Sequence, residues 1–62
     1  MNKRDYDYIK RHATDYICRV DIYGKEWCTF FCGYVNFNTV AITDESKAQI
    51  VALTNEINRR TK

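Results

Sequence analysis

Residues 16–35 read YICRVDIYGKEWCTFFCGYV. This stretch decides the fold. Tyr16, Cys18, Val20 and Ile22 alternate with Ile17, Arg19, Asp21 and Tyr23, the period-two pattern of a half-buried strand. Glu26 to Val35 is a second run, rich in aromatic and β-branched residues that favour strands. Between them stands Tyr23-Gly24-Lys25-Glu26. Gly24 at the first central position suits a two-residue type II′ hairpin turn. That turn pairs Ile22 with Trp27, Val20 with Thr29 and Cys18 with Phe31, so these six side chains share one face.

Working outward, Asn36-Phe37-Asn38 suits a second turn, because Asn tolerates the left-handed region. Thr39-Val40-Ala41-Ile42 then makes a short third strand. If Val35 pairs with Val40, Val40 and Ile42 join the same face. Downstream, Thr43 caps a helix through its hydroxyl, with Asp44 and Glu45 in a first turn that favours carboxylates. Ile50, Leu53, Thr54 and Ile57 recur at helical spacing. Arg59 and Arg60 fall in the last turn, where cations are favoured. The spacing predicts a helix over 44–60. Upstream, Asp5 caps a short helix over about residues 6–13, with Tyr6, Ile9 and Ala13 on one side. The same residues, Asp-Tyr-Asp-Tyr-Ile, also alternate as a strand would.

The expected fold class is α+β in a single domain, residues 1–62. It has a short N-terminal helix, a three-stranded antiparallel β-meander and a C-terminal helix packed on one sheet face. The expected core is Cys18, Val20, Ile22, Trp27, Phe31, Val35, Val40, Ile42, Ile50, Leu53 and Ile57.

Composition narrows the class. The chain has 62 residues, 45 % hydrophobic, 29 % charged and 15 % aromatic, with two glycines and no proline. Such a balance excludes a disordered linker. A domain this small buries only about 60 % of the surface its unfolded chain exposes, so it often needs a metal, a disulfide or a partner chain. Met1 to Arg11 is charged and lacks the apolar core of a signal peptide. Trp27 to Thr43 carries no formal charge, yet Thr29, Gly33, Asn36, Asn38 and Thr39 make it too polar to cross lipid. The expected location is the cytoplasm.

Charge is unevenly spread. Residues 1–12 carry a net +2, residues 13–57 a net −3 and the tail a net +3. Basic groups at both chain ends mark a phosphate-contacting surface, or else serve solubility and the helix dipole.

Catalytic chemistry is missing. His12 stands among basic neighbours, Ser46 is a first-turn helix residue and no glycine-rich phosphate loop exists. The three cysteines invite a zinc site. Cys28 and Cys32, however, sit four apart in a strand, about 13 Å between Cα atoms at the usual rise. Cys18 belongs to the opposite face. The expectation is no metal, no cofactor, no disulfide between Cys28 and Cys32, and no enzyme. Thiols so placed act as small apolar groups, and an odd number fits a reducing compartment.

Two functions remain. On the expected pairing, Ile17, Phe30, Cys32 and Tyr34 form an apolar patch on the second sheet face, which the C-terminal helix does not reach. Either residues 1–13 fold over it, or a homodimer or partner protein does. Its binding residues are Ile17, Tyr23, Phe30, Cys32 and Tyr34. The third strand, free of charge and proline, either offers a bare edge for an incoming strand or is simply too short to attract one. The protein is then a small regulator or inhibitor, a size and style common in phages and mobile elements, with no membrane and no small-molecule substrate as partner. The alternative is nucleic-acid binding through Lys3, Arg4, Lys10, Arg11, Arg19, Lys25, Arg59 and Arg60.

The order helix, strand, strand, strand, helix resembles that of double-stranded-RNA-binding domains. The strands with the last helix resemble the sheet-type DNA-binding domains of some integrases. The first likeness implies a lysine cluster at the start of the last helix, aimed at phosphates. Asp44, Glu45, Ser46 and Lys47 stand there instead.

Overall fold

A computed structural model describes residues 1–33 and 36–60. Its elements are α1 (Lys3–His12), β1 (Asp15–Val20), β2 (Glu26–Cys32), β3 (Asn36–Ala41) and α2 (Lys47–Arg60). The three strands form one antiparallel sheet in the order β1-β2-β3. The expected class, element order and meander are therefore present.

The helix starts follow from side-chain oxygens. Asn2, rather than Asp5, caps α1. Its Oδ1 accepts the Asp5 backbone N–H at 2.8 Å. A cap satisfies an N–H near the helix start, so the helix begins earlier than expected. Thr43 closes the turn that leads into α2, in place of capping the helix directly. Its Oγ1 accepts the Ser46 N–H and its carbonyl accepts the Lys47 N–H. Residues 44–46 form a turn leading into α2, not its first helical residues. Buried Ser46 binds that turn to the sheet, donating its hydroxyl to the Ala41 carbonyl at 2.7 Å.

The hairpin departs from expectation, and everything about the faces follows from it. The loop is Ile22-Tyr23-Gly24, closed by Gly24 N–H to the Asp21 carbonyl and Asp21 N–H to the Lys25 carbonyl. Gly24 has φ +80°. This is a three-residue loop, a turn followed by a left-handed residue, not the two-residue turn at Gly24-Lys25. Asp21 selects it. Its carboxylate accepts the Tyr23 and Lys25 N–H groups at 2.9 Å each and the Trp27 indole N–H at 3.0 Å.

Arg19, rather than Ile22, therefore stands opposite Trp27. The slide of three residues is odd, so it turns β2 over relative to the expected pairing. Cys28, Phe30 and Cys32 face inward and are buried. Trp27 and Phe31 face the other way. Ile22 is 92 % exposed in the loop and Val20 also lies open. These expected core residues are corrected by the register. The second turn shifts as well. Gly33, with φ +82°, leads out of β2, and Asn36, Phe37 and Asn38 lie within β3. Tyr34 and Val35 fall outside the described residues.

Both helices cover the same sheet face. Ile9 and Ala13 of α1, Cys28, Phe30 and Cys32 of β2, and Ile50, Leu53 and Ile57 of α2 form one buried cluster. Tyr16, Val40 and Ile42 pack against it half-buried. Arg60 joins the helix ends by donating to the carbonyls of Lys10 and Ala13 at the end of α1. Those carbonyls lack helical partners, so a guanidinium suits them.

Acid tests the loop. Hydrogen bonds from Trp27 and then Lys25 hold the Asp21 carboxyl below its ordinary value, against an opposing effect of desolvation. A depressed carboxyl adds stability above its unfolded pKa and loses it as pH falls through the lower folded value. The Trp27 indole N–H resonance should therefore shift with a midpoint below the ordinary aspartate range. A midpoint at the ordinary value would show that Asp21 does not hold this bond.

Candidate functional site: the open sheet face

With both helices on one side, the other side of the sheet has no covering layer among the described residues. Pairing arranges it as three rows running across β1, β2 and β3. They are Asp15-Phe31-Phe37, Ile17-Thr29-Thr39 and Arg19-Trp27-Ala41. Every one of these side chains projects to the same side because cross-strand partners share a face.

The surface is apolar with a polar centre. Phe37 is 66 % exposed, Ile17 50 % and Phe31 36 %. Thr29, in the middle, is buried by its neighbours and shares a 3.0 Å hydrogen bond with Thr39. Its hydroxyl is thereby satisfied without water, which lets the centre be covered at little cost. Trp27 is half-buried and fixed by its bond to Asp21, and the Lys25 ammonium lies 4.8 Å from its ring centroid. Asp15 and Arg19 sit at opposite ends of β1, and neither forms an ion pair among the described residues.

The residues expected at a protein-binding patch separate. Ile17 lies on the open face and Tyr23 is exposed in the hairpin loop. Phe30 and Cys32 belong to the buried core, packed under the helices. Tyr34 is outside the described residues. Missed from the site were Trp27, Phe31, Phe37 and Ala41. The signal that identifies them is Asp21-x-x-Gly24, the preferred residues for the first and fourth positions of a type I turn. That turn fixes the register.

The basic residues do not gather on the sheet. Lys3, Arg4, Lys10 and Arg11 are on α1, and Arg59 and Arg60 end α2. Several have partners within the chain. Arg59 and Arg60 both pair with Glu56. Arg60 also caps α1, and Lys10 lies 6.0 Å from the Tyr6 ring. Arg19 alone of the set lies on the open face, with Lys25 at its margin.

Other chemistry is sparse. No group of three metal-ligating side chains occurs among the described residues. The recess beside His12 is lined by Arg4, Asp5, Asp7, Tyr8, Arg11 and His12, all from α1. It runs along one helix, and the His12 ring rests 4.7 Å from that of Tyr8. No helix among the described residues is long and apolar enough to cross a membrane.

Comparison with known proteins adds no assignment: no protein-family model, no curated protein and no solved structure matches the chain.

Proposed function

We propose that this chain is a non-enzymatic protein-binding module that acts as a homodimer, its open sheet face packed on that of a second copy. The observation that carries the reading is the exposed row structure of that face, with Ile17, Phe31 and Phe37 held on a rigid sheet. Exposed apolar surface of this kind marks an interaction site. An antiparallel sheet is stable with one solvated face, but the outward residues are then polar. Here they are not.

Self-complementarity favours a second copy. A two-fold axis along the middle row, between two stacked sheets, reverses one set of strands over the other. Each Asp15 then meets Arg19 of the second copy, Phe31 meets Trp27, and Phe37 meets the small Ala41. Ile17 meets itself. A two-fold interface requires such reciprocal pairs. The two sheets would lie about 10 Å apart, rotated by about 30°. Helices would form the outer layers. Such a dimer suits a small regulator or inhibitor of another protein, and the three free cysteines favour the cytoplasm as its location.

Light scattering after size exclusion should give the dimer mass at low and at high salt, because apolar burial is not screened. Phe31→Asp with Phe37→Asp should give a folded monomer, since both side chains are exposed. Arg19→Asp should weaken the dimer, and adding Asp15→Arg should restore it. A wild-type monomer at tens of micromolar, with the circular dichroism of a folded chain, would overturn the reading.

A further inference from the structure

The three cysteines are free, and two of them are neighbours. Cys18 on β1 stands directly opposite Cys28 on β2, and their sulfurs are 2.8 Å apart. The register brings them to one face, correcting the expectation that they lie on opposite faces. Their position in the ladder matters. Asp21 N–H bonds the Lys25 carbonyl, and Ile42 N–H bonds the Glu26 carbonyl. Odd residues of β2 therefore bond β1 and even ones bond β3. Cys18 and Cys28 form a non-hydrogen-bonded pair, in which Cα atoms lie about 4.5 Å apart. A disulfide accepts Cα separations of about 4.4–6.8 Å and needs sulfurs at about 2.05 Å, so closure asks for a movement of less than about 1 Å.

We propose that Cys18 and Cys28 are a thiol pair that small-molecule disulfides convert to an intrachain cross-strand disulfide. The two thiols have different roles. Cys18 is exposed on the edge strand and is the sulfur an oxidant in solution reaches. Cys28 is buried, and burial together with the neighbouring Cys18 sulfur pushes its thiol up to about 12. It is sheltered from direct attack and resolves the intermediate instead.

With oxidised glutathione as the oxidant, the Cys18 thiolate attacks one sulfur and releases a glutathione thiolate. Cys18 is left in a mixed disulfide. The Cys28 sulfur then attacks the Cys18 sulfur, and its proton goes to the second departing glutathione thiolate. Two electrons pass from the protein thiols to one glutathione disulfide, giving one protein disulfide and two glutathione thiols. Cys32 takes no part. It lies four residues along β2, buried beneath the helices, and faces Asn36 across the ladder.

The product ties β1 to β2 through a loop of about ten residues. Restricting the unfolded chain in this way should raise Tm by about 10–20 °C. The tie lies on the helix-covered side of the sheet, so its chemistry is independent of the dimer proposed above.

The folded chain would be incubated with oxidised glutathione, quenched in acid, then unfolded and alkylated. Expected is a mass lower by two hydrogens, one alkyl group on Cys32, and a proteolytic fragment joining Cys18 to Cys28. Cys32→Ala should behave the same way. Cys18→Ala, which alters an exposed position, should keep both remaining thiols free and lose the Tm increase. A stable glutathione adduct on Cys18, a bond between two chains, or three thiols still open to alkylation would each overturn the proposal.

Discussion

Phe30→Ala will remove about 3–5 kcal/mol of stability, the usual loss when a buried phenylalanine is cut to a methyl group. A domain of 62 residues has on the order of 3–9 kcal/mol in total. The variant should therefore be largely unfolded at room temperature, or melt early in urea. Phe30 is 0 % exposed and sits between Cys28 and Cys32 beneath both helices, 6.4 Å from the Tyr16 ring. Its neighbour Phe31 is the matching control. Compared in a Phe37→Asp background, which keeps the open face unpaired, Phe31→Ala should cost clearly less than Phe30→Ala, because the Phe31 side chain is partly exposed. Urea midpoints of the two variants compare the faces of β2 directly. Equal losses, or a larger one at Phe31, would mean that the strand is turned the other way.

Ile9→Ala tests the second unexpected placement. Ile9 is fully buried and joins α1 to the core formed by β2 and α2. Its truncation should cost about 2–5 kcal/mol. Tyr8→Ala, on the outer side of α1, should cost far less. An Ile9→Ala midpoint equal to that of the wild type would show that α1 does not pack on the sheet. The openness of the second sheet face depends on this placement of α1. If α1 left the helix layer, it would be free to lie over Phe31 and Phe37.

Both tests bear on the site as well as on the fold. Had Phe30 and Cys32 faced outward, the proposed interface would have centred on them. In the folded chain they are the floor of the core, and the candidate interface is built from Ile17, Trp27, Phe31 and Phe37. The proposed class does not turn on this exchange, because both faces of β2 carry large apolar side chains. The residues that would carry it do.

Local patterns were enough for the elements. Alternation marked β1 and most of β2, and the spacing of Ile50, Leu53 and Ile57 marked the buried stripe of α2. Thr43 announced the turn that starts that helix, because a hydroxyl acting on nearby N–H groups is a short-range effect. Class, order and meander followed. The pairing of strands did not. Two loops compete at residues 21–25, and they differ by an odd slide. Side chains alternate with period two, so the choice reverses β2 wholesale. Asp21 settles it by bonding Tyr23, Lys25 and the Trp27 indole at once, and the last of these bonds exists only in the folded hairpin. The side on which α1 packs was equally out of reach. Its apolar stripe fits either face of the sheet, and only the shared cluster with α2, sealed by Arg60 at the helix ends, assigns it. Periodicity thus determined what each segment is, being a property of neighbours in the chain. Tertiary structure decided which way each segment faces, because that depends on contacts between residues far apart.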